Sequence, residues 1–238
     1  MEIDVNQYAN FAAVVAVQLI WFLVVAWSQG ALHAIPRCLG LGAIAGLPIG
    51  ILFDIAIGRL GSIFHYNGLE LTGTFLVLNS VLSYGIAVAT ALSVRIEALP
   101  INQDGQSRAT LAVAFLFLTF GLWLWLDLVP PIAAMFLIGA AILLFSEALA
   151  QFFRRDGYLV QVAKGHRRAG VMIWIFSLTT GLVYECANYL FPLWVWNNQS
   201  PTPVGNLVLI VILGYAVLFA PIFITAAVAR DLRHELAH

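Results

Sequence analysis

Seven long apolar runs divide this chain, and they constrain its fold more than any other feature. They cover 8–29, 38–58, 71–94, 109–128, 131–152, 170–191 and 205–229. Each is close to the roughly 20 residues that an α-helix needs to cross a bilayer. With 62% apolar and 10% charged residues, the composition excludes a water-soluble globule. We therefore predict an all-α, polytopic membrane protein with seven spans and a single transmembrane domain over 1–238.

The positions of the basic residues predict how the chain is oriented. Cytoplasmic connections retain lysine and arginine, and ten of the eleven basic residues lie in alternate connections. They are Arg37, Arg95, Arg108, Arg154, Arg155, Lys164, Arg167, Arg168, Arg230 and Arg233. Only Arg59 is left for the other side. This pattern predicts an outside amino terminus and a cytoplasmic carboxy terminus, in a membrane of the bacterial inner (plasma) membrane type.

Charge and composition also narrow the partners and cofactors. The formal net charge of −1 supplies no field for nucleic acid, so we expect partners among lipids and membrane proteins. Two cysteines and five scattered histidines do not form a metal site or a disulfide scaffold, and no cofactor motif is present. The only lysine, Lys164, lies in a polar connection, which excludes a retinal Schiff base within a span.

Two helices carry a ladder of residues spaced four apart. The second run contains Gly42, Gly46, Gly50, Asp54 and Gly58, and the sixth contains Ser177, Gly181, Glu185 and Tyr189. Residues at this spacing share a helix face, and small residues there let a neighbouring backbone approach closely. The ladders therefore direct both carboxyls toward protein. An offset of 131 residues superposes Asp54 on Glu185.

The similarity between the two parts of the chain continues after these helices. Phe64-His65-Tyr66-Asn67 parallels Trp194-Val195-Trp196-Asn197 after a one-residue slip, and Tyr84 falls on Tyr215. We interpret this as an internal duplication in which helices 2–3 are repeated as helices 6–7. The repeats would cover 1–95 and 131–230, with 109–128 as the connecting helix. Both would have the same membrane orientation, related by a pseudo-two-fold axis along the membrane normal.

The duplication places Asp54 and Glu185 at equivalent depth in the outer part of the membrane. An intramembrane carboxyl is costly when charged and is a candidate functional group for that reason. Desolvation and mutual repulsion would keep one of the two protonated at neutral pH. Asn188 lies one helical turn beyond Glu185 and would orient that carboxyl or a water molecule. The structural alternative is that each carboxyl only bonds a neighbouring helix.

A further set of polar and aromatic residues is predicted to line the substrate pocket near these carboxyls. Its members lie in the outer connections or on the third and seventh helices. They are Asn79, Tyr84, Phe64, Tyr66, Trp194, Trp196 and Tyr215. Interhelical hydrogen bonding is the alternative role for the polar members.

One family resemblance follows from these motifs. The segments Phe53-Asp54 through Phe64-His65-Tyr66-Asn67, and Tyr184-Glu185 through Trp194-Val195-Trp196-Asn197, resemble the small integral-membrane carotenoid enzymes. These are the lycopene cyclase-domain proteins and the related carotenoid hydratases, which comprise about seven helices with duplicated halves. The resemblance covers helices 2–3 and 6–7. This chain departs from the cyclase pattern because 74–84 carries no carboxylate where the cyclase domains have a Pro-x-Glu-Glu type motif.

Together these observations predict a cofactor-independent enzyme that acts on a long isoprenoid or carotenoid held in the bilayer. It would transfer a proton to a C=C bond, leading to cyclisation, hydration or isomerisation. Asp54 and Glu185 would be the proton donor and the base or cation stabiliser, and aromatic faces would stabilise a carbocation. Two alternatives remain open: a proton-coupled transporter of a small or lipid-like molecule, and a non-catalytic subunit of a membrane complex. A homo-oligomer is compatible with each of them.

Overall fold

The computed structural model of the chain describes residues 5–55, 58, 64–67, 73–94, 105–125, 131–165, 167–197, 219–224 and 226. Its helices are α1 (Val5–Ser28), α2 (Ile35–Phe53), α3 (Gly73–Asn79), α4 (Gly85–Ser93), α5 (Gly105–Trp125), α6 (Pro131–Phe152), α7 (Tyr158–Ala163) and α8 (Arg167–Leu190). The strands are β1 (Phe64–Tyr66) and β2 (Trp194–Trp196). A 3-10 turn, Leu32–Ala34, precedes α2, and a π turn, Ser80–Tyr84, joins α3 to α4. Residues 219–224 are also helical.

The helices confirm the prediction of a mostly helical membrane protein. Four stretches of the described residues are long and apolar enough to cross a bilayer: Asn6–Ser28, Leu32–Phe53, Gly73–Ser93 and Gly170–Leu190. Two shorter apolar stretches lie in α5 and α6, at Ser107–Leu122 and Gly139–Phe152. Most of the seventh predicted run, 205–229, lies outside the described residues. The number of spans, their orientation and the repeat boundaries therefore stay predictions.

Helix α1 presents one face to the interior of the fold. Phe11, Val14, Gln18, Phe22 and Val25 follow each other at spacings of three and four and are each 6% exposed or less. Four of these side chains are apolar, whereas Gln18 places an amide in the middle of the face. On a neighbouring side of α1, the indole N–H of Trp21 donates to the hydroxyl of Thr180, 3.2 Å away. This bond ties α1 to α8.

The glycine ladder of α2 packs against the segment that follows β1. A Cβ at Gly42 or Gly46 would overlap the backbone of Gly85, and a Cβ at Gly50 would lie 2.6 Å from Cα of Ser80. No side chain fits at these three positions without moving the neighbouring backbone. The close approach fixes the position of the carboxyl end of α2, where Asp54 lies, relative to the π turn.

The two outer motifs pair with each other as an antiparallel strand pair. Phe64 lies opposite Trp196, His65 opposite Val195 and Tyr66 opposite Trp194. Because side chains alternate along a strand, the four aromatic rings of these strands share one face of the pair. On the other face, Nδ1 of His65 is hydrogen-bonded to Oδ1 of Asn197 at 2.6 Å. The backbone N–H of Asn67 extends the pairing by donating to the carbonyl of Leu193 at 2.8 Å.

Candidate functional site

Asp54 caps the carboxyl end of α2 and is the centre of a buried hydrogen-bond network. Its side chain is fully shielded, at 0% exposure. The hydroxyls of Tyr66 and Tyr84 both donate to Oδ1 over 2.9 Å, and Nδ2 of Asn79 donates to Oδ2 over 2.9 Å. A buried carboxyl is costly unless it is hydrogen-bonded, and these three donors supply the bonds. The donors come from β1, from the end of α3 and from the π turn.

The π turn explains how Asn79 and Tyr84, five residues apart, reach the same carboxyl. In α-helical geometry, residues at this spacing lie on different faces. A π turn closes bonds between residues five apart, and here the backbone N–H of Gly85 donates to the carbonyl of Ser80. This wider turn brings both side chains to the side that faces Asp54. π turns often occur at functional sites.

A fourth hydrogen bond joins two of the three donors, Asn79 and Tyr66. Nδ2 of Asn79 also donates to the hydroxyl of Tyr66 over 2.7 Å. The Tyr66 hydroxyl therefore donates to Asp54 and accepts from Asn79, so the carboxyl, the amide and the phenol form one connected network. Such networks hold their members in one arrangement because each bond constrains the others.

Glu185 has a different environment from Asp54. It lies on α8 and is partly exposed, and the indole N–H of Trp196 points at both of its carboxyl oxygens, 3.2 Å and 3.3 Å away. Asn188 is buried at 8% exposure and bonds to backbone. Its Oδ1 accepts from the N–H groups of Leu193 and Trp194, and its Nδ2 donates to the carbonyl of Trp194. Asn188 thus shapes the turn from α8 into β2.

A pocket lies beside the Asp54 network, with an empty volume of about 610 Å³ that includes space open to the surroundings. Its lining consists mainly of aromatic rings, with a small number of polar groups. The lining residues are Gln18, Phe53, Phe64, Tyr66, Asn79, Ser83, Tyr84, Tyr184, Trp194, Trp196, Phe219 and Ile222. All three donors to Asp54 are in this wall, and so is Trp196, the donor to Glu185.

Aromatic contacts hold much of this wall together. The ring of Phe64 lies edge-to-face with Tyr66 and with Trp196, with ring centroids 5.4 Å and 5.6 Å apart. Tyr184 contacts Phe219 in the same way at 5.1 Å. Edge-to-face pairs add about 0.5–1.5 kcal/mol each beyond the area that they bury. The phenol of Tyr184 donates to the carbonyl of Ser83 at 2.9 Å, which links α8 to the π turn.

The structure brings together most of the residues that the sequence assigned to the site. Six of the seven predicted pocket residues line the pocket: Asn79, Tyr84, Phe64, Tyr66, Trp194 and Trp196. The seventh, Tyr215, lies outside the described residues. The three predicted catalytic residues, Asp54, Glu185 and Asn188, are not in the lining. Asp54 contacts the pocket wall through Tyr66, Asn79 and Tyr84. Glu185 contacts it through Trp196.

Gln18 lines the pocket but is not among the residues predicted from the sequence. The pattern that indicates it is a single amide on the otherwise apolar inward face of α1. Phe219 and Ile222 were also not predicted, and they lie in the seventh run, where a continuous apolar sequence does not distinguish inward from outward faces.

The pocket wall offers hydroxyl, amide and indole groups, and the carboxyls of Asp54 and Glu185 lie behind it, bonded to residues of the wall. Within the described residues, no cluster of three or more histidine, cysteine, aspartate or glutamate side chains could hold a metal ion. The arrangement of a carboxyl behind two phenols can hold and transfer a proton, and an aromatic wall can stabilise a cation.

Comparison with known proteins gives no relative for this chain: no protein-family model, no curated protein and no solved structure matches it.

Proposed function

We propose that this protein binds a long isoprenoid or polyene in the aromatic pocket and transfers a proton to one of its C=C bonds. The observation that carries this proposal is that three side chains each bond the buried carboxyl of Asp54 and each line the pocket. A purely structural carboxyl would need its donors, but it would not need them in the wall of a cavity. An apolar pocket with a small number of placed polar groups is typical of ligand sites.

In this proposal Asp54 acts through a phenol, because its own side chain does not line the pocket. In this step the hydrogen bond between Tyr84 and Asp54 reverses: the protonated carboxyl of Asp54 donates to the Tyr84 oxygen and the phenolic O–H of Tyr84 turns toward the ligand. The carboxyl proton then passes to the Tyr84 oxygen while the phenolic proton passes to a carbon of the C=C bond. The C=C electron pair forms the new C–H bond, a carbocation remains on the neighbouring carbon, and Asp54 becomes a carboxylate. Loss of a proton from an adjacent carbon, returned through Tyr84 to the Asp54 carboxylate, gives isomerisation. Attack by another C=C bond moves the cation to a new carbon, and the same return of a proton completes cyclisation. Capture by water, followed by return of one water proton to Asp54, gives hydration.

The aromatic residues of the strands would stabilise the carbocation. Phe64, Trp194 and Trp196 line the pocket, and a cation over an aromatic face is attracted by its π electrons. Glu185 accepts a hydrogen bond from the indole of Trp196, which increases the electron density of that ring. We therefore assign Glu185 the role of cation stabiliser through Trp196. Asn188 is a positioning residue that holds the turn leading to this tryptophan.

We also propose that the two parts of the chain are repeats related by a two-fold axis. The strand register supports this, because exchanging sequence-equivalent positions leaves the pairing unchanged. Phe64 lies opposite Trp196 and its equivalent Trp194 lies opposite Tyr66, with His65 and Val195 at the centre. The two-fold axis of an antiparallel pair is perpendicular to the sheet. We place this axis along the membrane normal and keep the predicted topology of seven spans with an outside amino terminus. The strand pair would then lie on the outer side of the membrane and cover the outer end of the pocket.

The experiment that tests the proposal is mass spectrometry of the lipids that copurify with the protein. We expect an isoprenoid or polyene that is enriched over the bulk membrane lipid of the same cells. Ser83→Leu, which adds bulk to the pocket wall, should reduce the enrichment, whereas Ser28→Leu at the end of α1 should not. Finding only bulk phospholipid in the wild-type extract would contradict the proposal.

A further inference from the structure

The amide of Gln18 is the least expected group in the pocket wall. It lies in the middle of the inward face of α1 and is 1% exposed. Neither its Nε2 nor its Oε1 has a hydrogen-bond partner within the described part of the chain. A buried amide without partners costs about 1–3 kcal/mol relative to a bonded one, so an apolar residue would serve α1 better. A buried amide without partners that lines a pocket is therefore a candidate for contact with a bound ligand.

The same pocket wall contains a second donor without a hydrogen-bond partner among the described residues. The indole N–H of Trp194 is buried and has no hydrogen-bond partner among the described residues, in contrast to Trp196, which donates to Glu185. Trp194 and Gln18 both line the pocket, although they come from β2 and α1. The pocket therefore offers two donors, Nε2 of Gln18 and Nε1 of Trp194, and one acceptor, Oε1 of Gln18.

This donor and acceptor pattern selects among lipid-like ligands. A pure hydrocarbon would leave all three groups without partners. A carbonyl oxygen only accepts, so it would leave Oε1 of Gln18 without a donor. A hydroxyl group both donates and accepts, and it matches an amide that needs both kinds of partner.

We infer that the pocket takes an isoprenoid alcohol, with its hydroxyl group bonded to Gln18 and its hydrocarbon chain against the aromatic wall. This inference rests on the proposed function for the isoprenoid character of the ligand, and it adds the polar group and the residue that recognises it. Gln18 is then the residue that discriminates between an alcohol and the corresponding hydrocarbon, because a site built to bond a hydroxyl rejects the analogue that lacks it.

The test compares two probes on the purified protein in detergent: geranylgeraniol, and the hydrocarbon in which hydrogen replaces its hydroxyl group. Wild-type protein should bind the alcohol about tenfold more tightly, which is the effect of one satisfied buried hydrogen bond. Gln18→Leu should lose this preference by weakening alcohol binding and leaving hydrocarbon binding unchanged. The matched control is Gln29→Leu, one residue past the end of α1 and outside the pocket lining, which should keep the preference.

A stability measurement on the same variants keeps the test independent of folding defects. Removing an unsatisfied buried amide should leave the melting temperature of ligand-free Gln18→Leu at or above that of the wild type. Equal binding of both probes by the wild type, or an unchanged preference in Gln18→Leu, would overturn this inference and leave the proposed function standing. If neither probe binds the wild type, both the inference and the isoprenoid ligand of the proposed function are contradicted.

Discussion

His65 and Val195 lie directly opposite each other at the centre of the antiparallel pair formed by β1 and β2. These strands are 130 positions apart in the chain. They contain the two similar motifs, Phe64-His65-Tyr66-Asn67 and Trp194-Val195-Trp196-Asn197, on which the proposed duplication rests. The pairing determines which rings face the pocket together, because a shift of one strand by one residue would turn both of its aromatic side chains to the other face.

A cysteine pair tests this register. His65→Cys combined with Val195→Cys should form a disulfide under mild oxidation, because directly opposed residues have Cα atoms about 4.5–5.5 Å apart, within disulfide range. The control is Asn67→Cys with Val195→Cys, a diagonal pair at about 7–8 Å that should cross-link far less. Peptide mapping separates these links from the native Cys38 and Cys186. Equal cross-linking of both pairs would contradict the register.

The glycine ladder leads to a stability prediction. Gly46→Ala should lower the free energy of unfolding by about 1–3 kcal/mol, because the new methyl group overlaps the backbone of Gly85. Gly40→Ala on the same helix has no neighbour within 4 Å of the new Cβ. That variant should be neutral or more stable by up to about 1 kcal/mol, since alanine favours helix over glycine. Thermal melts in one detergent measure both, and a Gly46→Ala protein as stable as Gly40→Ala would be inconsistent with the close packing.

The phenol of Tyr84 is predicted to stabilise the fold as well as the site. Tyr84→Phe removes one of the two donors to Oδ1 of Asp54 and should cost about 1–3 kcal/mol of unfolding free energy. Tyr189→Phe removes the same hydroxyl from a side chain that is 86% exposed and should change stability by less than about 0.5 kcal/mol. A similar melting temperature for the two variants would argue against the bond to Asp54.

The indole N–H of Trp196 gives a separate test of the Glu185 arrangement. Trp196→Phe keeps an aromatic ring beside Phe64 but loses the bond to Glu185. We expect a stability loss of about 1 kcal/mol, because the bond is long and Glu185 is partly exposed. We also expect turnover to fall about tenfold or more, since the ring that stabilises the cation becomes less electron-rich. Trp27→Phe, at a side chain that is 70% exposed, should leave both unchanged.

Much of the fold could be predicted because bilayer physics leaves a clear pattern in sequence. The fifth apolar run coincides with α6, and the first and third runs match α1 and the Gly73–Ser93 stretch to within a few residues. The second run, however, extends past Phe53, where α2 ends. Asp54 and Ile55 continue the chain in π-helical geometry. Hydropathy does not show a change from α to π geometry, so the position of Asp54 at the end of α2 is not visible from the apolar run.

The sequence identified six residues that line the pocket, but not the hydrogen bonds that connect them to the carboxyls. Spacing placed Asp54 on a face with small residues, and the repeated motifs pointed to Tyr66 and Trp196. The sequence did not show that Asn79 and Tyr84 reach Asp54 together, because that depends on a π turn, and helical periodicity assumes α geometry throughout. The role of Gln18 depends on which face of α1 is buried against which neighbours, and a single helix does not determine that.

The central claim is that Asp54 supplies the proton that reaches a C=C bond in the pocket. Deuterium incorporation tests it most directly: the protein is incubated in deuterated water with the isoprenoid fraction that copurifies with it, and carbon-bound label is measured by mass spectrometry. Protonation and deprotonation at carbon should incorporate deuterium with the wild type and with Asp156→Asn, a matched change at a buried aspartate that pairs with Lys164. Asp54→Asn should reduce incorporation about a hundredfold or more. Equal incorporation by Asp54→Asn and the wild type would contradict the account.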